Sequence, residues 1–433
     1  MKEIGIGLLG FGTVGAGVVE ALRKNGDLLA ARTGVRLALR KIADVDLDRD
    51  RGVAVDRALL TTDAMAVIDD PSVQIVVELI GGTKTARVLI AHALERGKPV
   101  VTANKALLAE CGADLFRLAA KYDVAIGFEA SVAGAIPIIK ALREGLVANR
   151  IARVYGILNG TCNYILTRMD REGDTFDHAL KEAQSHGYAE SDPTLDVDGW
   201  DTAHKAVILA SLAYGFPLEM AAVHVEGIRT LAKTDIDYAR VLGYRVKLLG
   251  VVKAEPDGIE VRVHPTLIPA DHMLSSVNGV FNAVMVDGDI AGQTVYFGRG
   301  AGRLPTASAV LSDLADIAGT MAAGAPFPPT LPHDVPVRCR NIGAVSSRYY
   351  LRVSLLDKPG VMGALTTVLG NHGISIASVV QKETHAGRNV PVIIVTHRAR
   401  EADMNVAMAE IDARPFVGAK TVRLRIEDLD GQT

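Results

Sequence analysis

The sequence predicts an α/β fold: a Rossmann-type doubly wound parallel sheet, an α+β middle domain and a C-terminal ferredoxin-like βαββαβ domain. Three observations predict it. Strand and helix patterns alternate through the first third of the 433 residues, starting from a Gly-x-Gly-x-x-Gly turn. A helix that is apolar nearly all round follows a stretch dense in carboxylates. After a proline-rich linker at 326–336, strands and helices recur in the order βαββαβ. The expected boundaries are 1–130 for the first domain, completed by 303–325, then 131–302, then 348–430.

Residues 4–9 form the first strand. Gly10, Phe11, Gly12, Thr13, Val14 and Gly15 follow at once, and Val14, Val18, Val19 and Leu22 recur at helical spacing. This is the context that a dinucleotide turn requires. Its glycines allow a tight bend, close approach of a pyrophosphate and close helix–strand packing, and the helix N-terminus offers unpaired N–H groups to phosphate. Further strands are expected at 35–43, 75–79, 100–102 and 124–128, with helices at 85–96 and 105–122. Near the end of the second strand, Arg40 and Lys41 favour the extra phosphate of NADP, while Asp44 and Asp46 suit the ribose hydroxyl of NAD. NADP or NAD is the expected cofactor.

In the middle domain, Pro137 suits the first turn of a helix running to 146. Residues 156–163 (GILNGTCN) form a second small polar turn before a helix, either a ligand contact or a cap. Residues 187–201 are rich in Asp and Glu. They lack the EF-hand pattern, and a metal loop or a solvated acidic loop both fit. Asp198 is the expected N-cap of a helix over 200–214. On that helix Asp201 and Lys205 are four apart and share a face with Ile208, Leu209 and Leu212. A lysine on a buried helix needs a partner or must lose its charge, so Lys205 with Asp201 is an acid/base candidate, a structural ion pair being the alternative. Residues 298–306 form another glycine-rich loop, opening a helix to about 321 through Pro305. It either covers the cofactor or connects back to the first domain.

Composition narrows the partners. With 47 Lys and Arg against 50 Asp and Glu, the net charge is -3, and no run of five like charges occurs. Neither nucleic acid nor a membrane surface is an expected partner. The longest apolar stretch, 206–218, is too short to span a bilayer. Glu3 and six glycines between Gly5 and Gly17 argue against a signal peptide. Cys111, Cys162 and Cys339 are too few and too scattered for a disulfide framework. A cytoplasmic protein is expected.

Taken together, the blocks GFGTVG (10–15), NKALLA (104–109), EASVAGAIPII (129–139), GILNGTCNYILTRM (156–169) and GYAESDPTLDVDGWDTAHK (187–205) resemble the homoserine dehydrogenase family. LDKPG (356–360), with the βαββαβ order, is similar to the ACT family. The resemblance covers nearly the whole chain. It implies NAD(P)-dependent interconversion of L-homoserine and L-aspartate 4-semialdehyde, in threonine, methionine and isoleucine biosynthesis. The middle segment then becomes a substrate-binding, catalytic and dimerisation domain.

By the same resemblance, Lys205 is the general acid in reduction and the base in oxidation. Lys105 lies near nicotinamide and substrate, a surface lysine being its alternative. Glu190 binds the substrate amine, with Asp196 and Asp201 orienting amine and lysine. Gly187 and Gly302 line the cofactor. Glu129 and the carbonyls of Val132, Gly134 and Ile136 resemble the family's site for a monovalent cation, Na+ or K+, although the family's Gly-Gly is Gly134-Ala135 here. Asp357, Pro359, Gly360 and Asn371 would form the regulatory site for an amino-acid effector, with L-threonine expected. A homodimer or homotetramer is implied, and no aspartate kinase domain is expected before the dinucleotide motif. Two other readings stay open: another NAD(P)-dependent amino-acid or aldehyde dehydrogenase, and a non-enzymatic sensor of dinucleotide and amino acid.

Overall fold

The computed structural model describes residues 1–217, 219–328, 338–382 and 388–429. Residues 329–336 of the expected linker lie outside them. The chain packs as two compact bodies. The described residues of the first are 1–160, 201–217, 219–221 and 281–328, and those of the second are 161–200, 222–280, 338–382 and 388–429.

The first body is built on a six-stranded sheet in the order Leu60–Thr61, Val35–Ala43, Lys2–Leu9, Ile75–Glu78, Val100–Thr102, Ile126–Gly127. Every pairing in it is parallel. This is the 3-2-1-4-5-6 order of a doubly wound nucleotide fold. The two-residue strand at Leu60–Thr61 was not foreseen, because two residues carry no periodicity. Ile4, Ile6, Leu8 and Leu9 are all buried, as a central parallel strand covered on both faces requires. The helix Arg303–Ala323 supplies Ala307, Val310, Leu314 and Ile317 to the same core. The larger ones, Val310, Leu314 and Ile317, contribute about 1.5–3 kcal/mol each. The segment after the second glycine loop therefore returns to the nucleotide fold. The same body holds a three-stranded antiparallel sheet, with Phe281–Gly288 between Gly292–Arg299 and Ile151–Ile157.

The second body carries the C-terminal module. Its strands lie in the order Val417–Ile426, Ser346–Leu356, Asn389–Thr396, Ile376–Val380, which is the 4-1-3-2 order of a ferredoxin-like βαββαβ unit. The helices Val361–Asn371 and Glu401–Asp412 cover it through Leu365, Val368, Leu369, Met404, Ala407 and Ile411. The strand Gly258–Pro269 pairs antiparallel with Tyr244–Glu255 and parallel with Val417–Ile426, through Thr266 opposite Arg425 and Leu267 opposite Ile426. The module thus continues the sheet of 244–269. That continuity is why the packing draws 131–302 apart, with 222–280 joining the module and 131–160 joining the nucleotide fold.

Two local expectations change. The helix predicted from Pro137 to 146 is a short α-helical turn, Ile138–Lys140, passing into a π-helical turn, Ala141–Gly145. Asp198 does not cap the helix Trp200–Tyr214; it closes the preceding turn Thr194–Val197, and its carboxylate pairs with Arg229. No helix among the described residues is long and apolar enough to cross a membrane.

Candidate active site

The glycine turn opens at the carboxyl end of the first strand. Gly10 has φ 96°, and a Cβ there would lie 2.7 Å from the Leu79 carbonyl. A Cβ on Gly15 would lie 2.2 Å from Gly10 O, so that glycine lets the helix Thr13–Thr33 press onto the turn. Gly12, the residue before the helix, has open space at its Cα and makes no side-chain cap. The first-turn N–H groups beyond it, with exposed Thr13 and half-buried Val14, form an anion-ready helix start.

The residue at the end of the second strand is Asp44. Its Oδ2 accepts the Phe11 amide at 2.5 Å, and its Oδ1 pairs with Arg51 at 3.1 Å. The Arg51 guanidinium lies 5.0 Å over the Phe11 ring. Arg40, another charge expected near the cofactor, lies earlier on the second strand. It pairs with Glu3, near the amino end of the first strand, and stands before the edge where Asp44 sits. The sequence order of charges hid the register. Arg51 was missed, because one arginine in a charged loop looks like any other.

The helix Trp200–Tyr214 is buried from Asp201 through Ala210 apart from half-buried His204. Lys205 Nζ lies 2.8 Å from Asp201 Oδ2 and donates to Leu158 O at 2.6 Å. Asn159 Nδ2 donates to the same Asp201 oxygen at 2.8 Å. The other oxygen, Oδ1, meets Lys105 Nζ at 3.1 Å. Lys105 is the first residue of the helix Lys105–Lys121, whose N-cap Asn104 accepts the Leu107 amide. Burial alone would raise the Asp201 carboxyl, but Lys205 and Lys105 outweigh it and hold the group well below the usual carboxylate range. One buried anion therefore bridges two lysines, Lys205 enclosed and Lys105 with 39% of its side chain exposed. The small polar turn at 156–163 contributes Leu158 and Asn159 to this cluster. Its role is thus more than capping, which the sequence left open.

Glu190, Asp196 and Gly187 belong to the second body. Thr161 Oγ lies 3.1 Å from Asp196 Oδ2, and Cys162 Sγ donates to the Asp196 carbonyl. Glu190 is exposed, and Gly187 takes φ 71° with open space around it. Sequence reasoning missed Lys247, which is buried with its Nζ against Asn163 Oδ1 at 3.3 Å and the Val277 carbonyl at 2.5 Å. Burial brings its amine down to about 8. Among the described residues, Asp174, His178 and Glu182 approach one another as metal ligands do, but Arg168 pairs with both carboxylates, at 2.8 and 2.7 Å.

In the first body, Glu129 Oε1 accepts the Ile139 amide and Oε2 the Lys140 amide, both at 2.9 Å. Burial pushes its carboxyl up, and these amides oppose the push. Ala133 and Gly134 take φ 55° and 50°, so the chain turns sharply here. A Cβ on Gly134 would lie 2.6 Å from Gly300 O. The left-handed positions are 133 and 134, so the methyl of Ala135 falls outside the constraint. Val132 and Gly134 are buried, and no hydrogen bond among the described residues reaches either carbonyl. The Ile136 carbonyl accepts the Ile138 amide at 2.8 Å. Buried carbonyls without donors, beside a carboxylate, are the donor set a monovalent cation takes. Gly302, with φ 130°, precedes the helix Arg303–Ala323.

In the C-terminal module, Gly360 (φ 87°) starts the helix Val361–Asn371. Pro359, Gly360 and Asn371 are exposed and Asp357 is half-buried. The Asp357 amide donates to Arg388 O at 2.8 Å.

Residues 10–129 match the family described as "Homoserine dehydrogenase, NAD binding domain", residues 137–315 "Homoserine dehydrogenase", and residues 349–416 "ACT domain". The chain is 46% identical over 440 residues to a homoserine dehydrogenase of Pseudomonas aeruginosa, covering 99% of this chain and 100% of that one. Among solved structures it is similar to a homoserine dehydrogenase from Thiobacillus denitrificans, with TM-score 0.94, 45% identity and 99% of each chain covered. It is also similar to a hyperthermophilic archaeal homoserine dehydrogenase in complex with NADPH, with TM-score 0.63, 30% identity, and 75% of this chain and 99% of that one covered.

Proposed function

The chain belongs to the homoserine dehydrogenase family, and from that premise we propose that Lys205 is the general acid/base of its reaction, with Lys105 facing substrate across Asp201. The enzyme is an NAD(P)-dependent oxidoreductase interconverting L-homoserine and L-aspartate 4-semialdehyde. NAD(P), which the glycine turn Gly10, Gly12 and Gly15 would hold, would supply the hydride acceptor in oxidation and the hydride donor in reduction. In reduction Lys205 Nζ gives a proton to the carbonyl oxygen as alkoxide character develops; in oxidation the same nitrogen, as the neutral amine, takes the hydroxyl proton.

The observation that carries this reading is the valence of one nitrogen. An ammonium has three donors. Leu158 O and Asp201 Oδ2 engage two of them, which fixes the side chain and leaves one N–H for a reacting oxygen. Asp201 remains an anion throughout. It orients Lys205 and draws Lys105 to the same point. Asn159 holds the carboxylate in place.

Other parts of the reading rest on the family resemblance. Glu190 binds the substrate amine and Asp196 supports it, with Gly187 and Gly302 along the cofactor. Asp44 offers a carboxylate to a ribose hydroxyl and Arg51 a guanidinium to a 2′-phosphate, so both NAD and NADP are read as acceptable. Glu129 with the carbonyls of Val132, Gly134 and Ile136 would hold Na+ or K+, ordering the loop. The turn Asp357, Pro359, Gly360 and the end of its helix at Asn371 would bind an amino-acid effector, L-threonine. The assembly is read as a homodimer or homotetramer, and the compartment as the cytoplasm, where three free thiols persist. The test is homoserine oxidation with NAD and NADP in parallel, each with and without L-threonine. The reading expects turnover with at least one dinucleotide and inhibition by threonine. Absence of turnover with both overturns the assignment of these residues.

A further inference from the structure

Glu78 is the last residue of the central strand Ile75–Glu78, and it is completely buried. Its neighbours Ile75, Val76 and Val77 are aliphatic, as a parallel strand covered on both faces favours. A carboxylate at that depth is costly unless it is hydrogen-bonded throughout. Burial pushes its carboxyl above the ordinary value, and the Thr102 hydroxyl and the amides of Ile80 and Gly81 oppose that push.

The hydrogen bonds close on themselves. Glu78 Oε1 accepts the Ile80 amide at 2.9 Å and the Gly81 amide at 3.3 Å. Glu78 Oε2 accepts the Thr102 hydroxyl at 2.7 Å. Thr102 Oγ1 in turn accepts the Asn104 amide at 3.0 Å. Asn104 Nδ2 donates to the Gly82 carbonyl at 2.6 Å, which returns the ring to the turn that began it. Asn104 Oδ1 also caps the helix Lys105–Lys121 at the Leu107 amide. Lys105 is the next residue, and its Nζ reaches Asp201 Oδ1 at 3.1 Å.

We propose that Glu78 is a positioning residue for Lys105, acting through Thr102 and Asn104. The role rests on the reading of Lys105 given above. The argument is one of donor direction. The Asn104 amide points at the Thr102 oxygen, so the Thr102 hydroxyl proton must point at an acceptor. An ionised carboxylate only accepts, so Glu78 can receive that proton and the two backbone amides together. A glutamine has one acceptor oxygen and one amide group. Whichever way it turns, either the two backbone amides or the Thr102 hydroxyl proton loses its acceptor. The carboxylate is what lets a single buried side chain lock the N-cap of the helix that begins with Lys105.

Full-length Thr102→Val removes the hydroxyl that joins Glu78 to Asn104 and leaves the Ile80 and Gly81 bonds to Glu78 in place, and Thr102→Ser keeps the hydroxyl. We expect Thr102→Val to lower kcat/KM for homoserine by roughly 10- to 100-fold, the scale of a misplacement near 1 Å. NADPH affinity, read by fluorescence titration, should stay within about threefold, and Thr102→Ser should restore most of the rate. Introduced into Lys105→Ala, Thr102→Val should cause little further loss, because both changes remove the same contribution. Wild-type turnover in Thr102→Val, or a loss carried at full size into Lys105→Ala, overturns the proposal. If Lys105→Ala alone turns over normally, the reading of Lys105 fails first and the proposal with it. Should Thr102→Val fold poorly, Glu78→Gln, nearly the same shape, is read by the same criteria.

Discussion

Asp201 and Lys205 stand one helical turn apart, 2.8 Å between carboxylate and ammonium, and both are more than nine-tenths buried. A surface pair at this spacing contributes a few tenths of a kcal/mol and is screened by salt. A buried pair is different, because removing either charge strands the other. The second lysine, Lys105, makes the carboxylate the hinge of the cluster.

Asp201→Asn should therefore cost both stability and rate. Loss of one partner from a buried pair costs about 3–5 kcal/mol, and kcat should fall by about 100-fold as Lys205 loses its fixed direction. Because the folded carboxyl sits below its ordinary value of 3.8, its contribution is complete above that pH and is lost as pH falls below it. Urea unfolding should show a constant gap between wild type and variant from pH 5 to 8, as an estimate of that window, narrowing in stronger acid. A gap that widens in acid contradicts this.

Lys247 should give the opposite pH signature. Burial holds its amine down at about 8 against an ordinary 10.5. Below the lower value the folded protein carries an unfavourable buried charge. Between the two values the unfolded chain binds the extra proton, so stability rises with pH. Against Lys247→Met, wild type should gain on the order of a few kcal/mol between these two pH values. Melting temperatures of both proteins on either side of the interval check the sign.

Removing the chain beyond about residue 346 should lower stability whatever it does to effector response. Arg262 is buried and pairs with Glu427 at 2.6 Å, and Arg425 is fully buried between Glu226 and Glu401. Truncation takes Glu427 from Arg262, leaving it the longer pair with Glu260 at 3.4 Å, and opens the edge of Gly258–Pro269 that Val417–Ile426 covers. The truncated enzyme should melt several degrees lower, roughly as the loss of a buried ion pair implies. An unchanged melting temperature would show that the shared sheet adds nothing. Point changes in the turn at Asp357 are the cleaner probe of effector binding.

Much of this architecture was legible in the sequence. The glycine turn, the five main parallel strands and the βαββαβ order each carry a local pattern of period and punctuation. The pairing of Asp201 with Lys205 was legible too, since helical spacing alone puts them on one face. What stayed hidden was the work of distant residues. Nothing in the order of Arg40, Lys41 and Asp44 says which one reaches the sheet edge; parallel register decides that, and it favours Asp44. Lys105 is ninety-six positions from Asp201, a separation across which no periodicity speaks. Lys247, Asn159 and Glu78 look like ordinary polar residues until burial shows what each must bond. The carbonyls of Val132 and Gly134 have no side-chain signature at all.

The central claim is that a single enclosed amine moves the proton. Lys205→Ala tests it most directly, with homoserine oxidation and NADPH binding measured on the same preparation. Turnover should fall by about 10²–10⁴-fold, the usual contribution of a positioned acid/base group, while NADPH affinity holds within about threefold. Turnover near the wild-type rate in that variant, with its fold intact, would contradict the account.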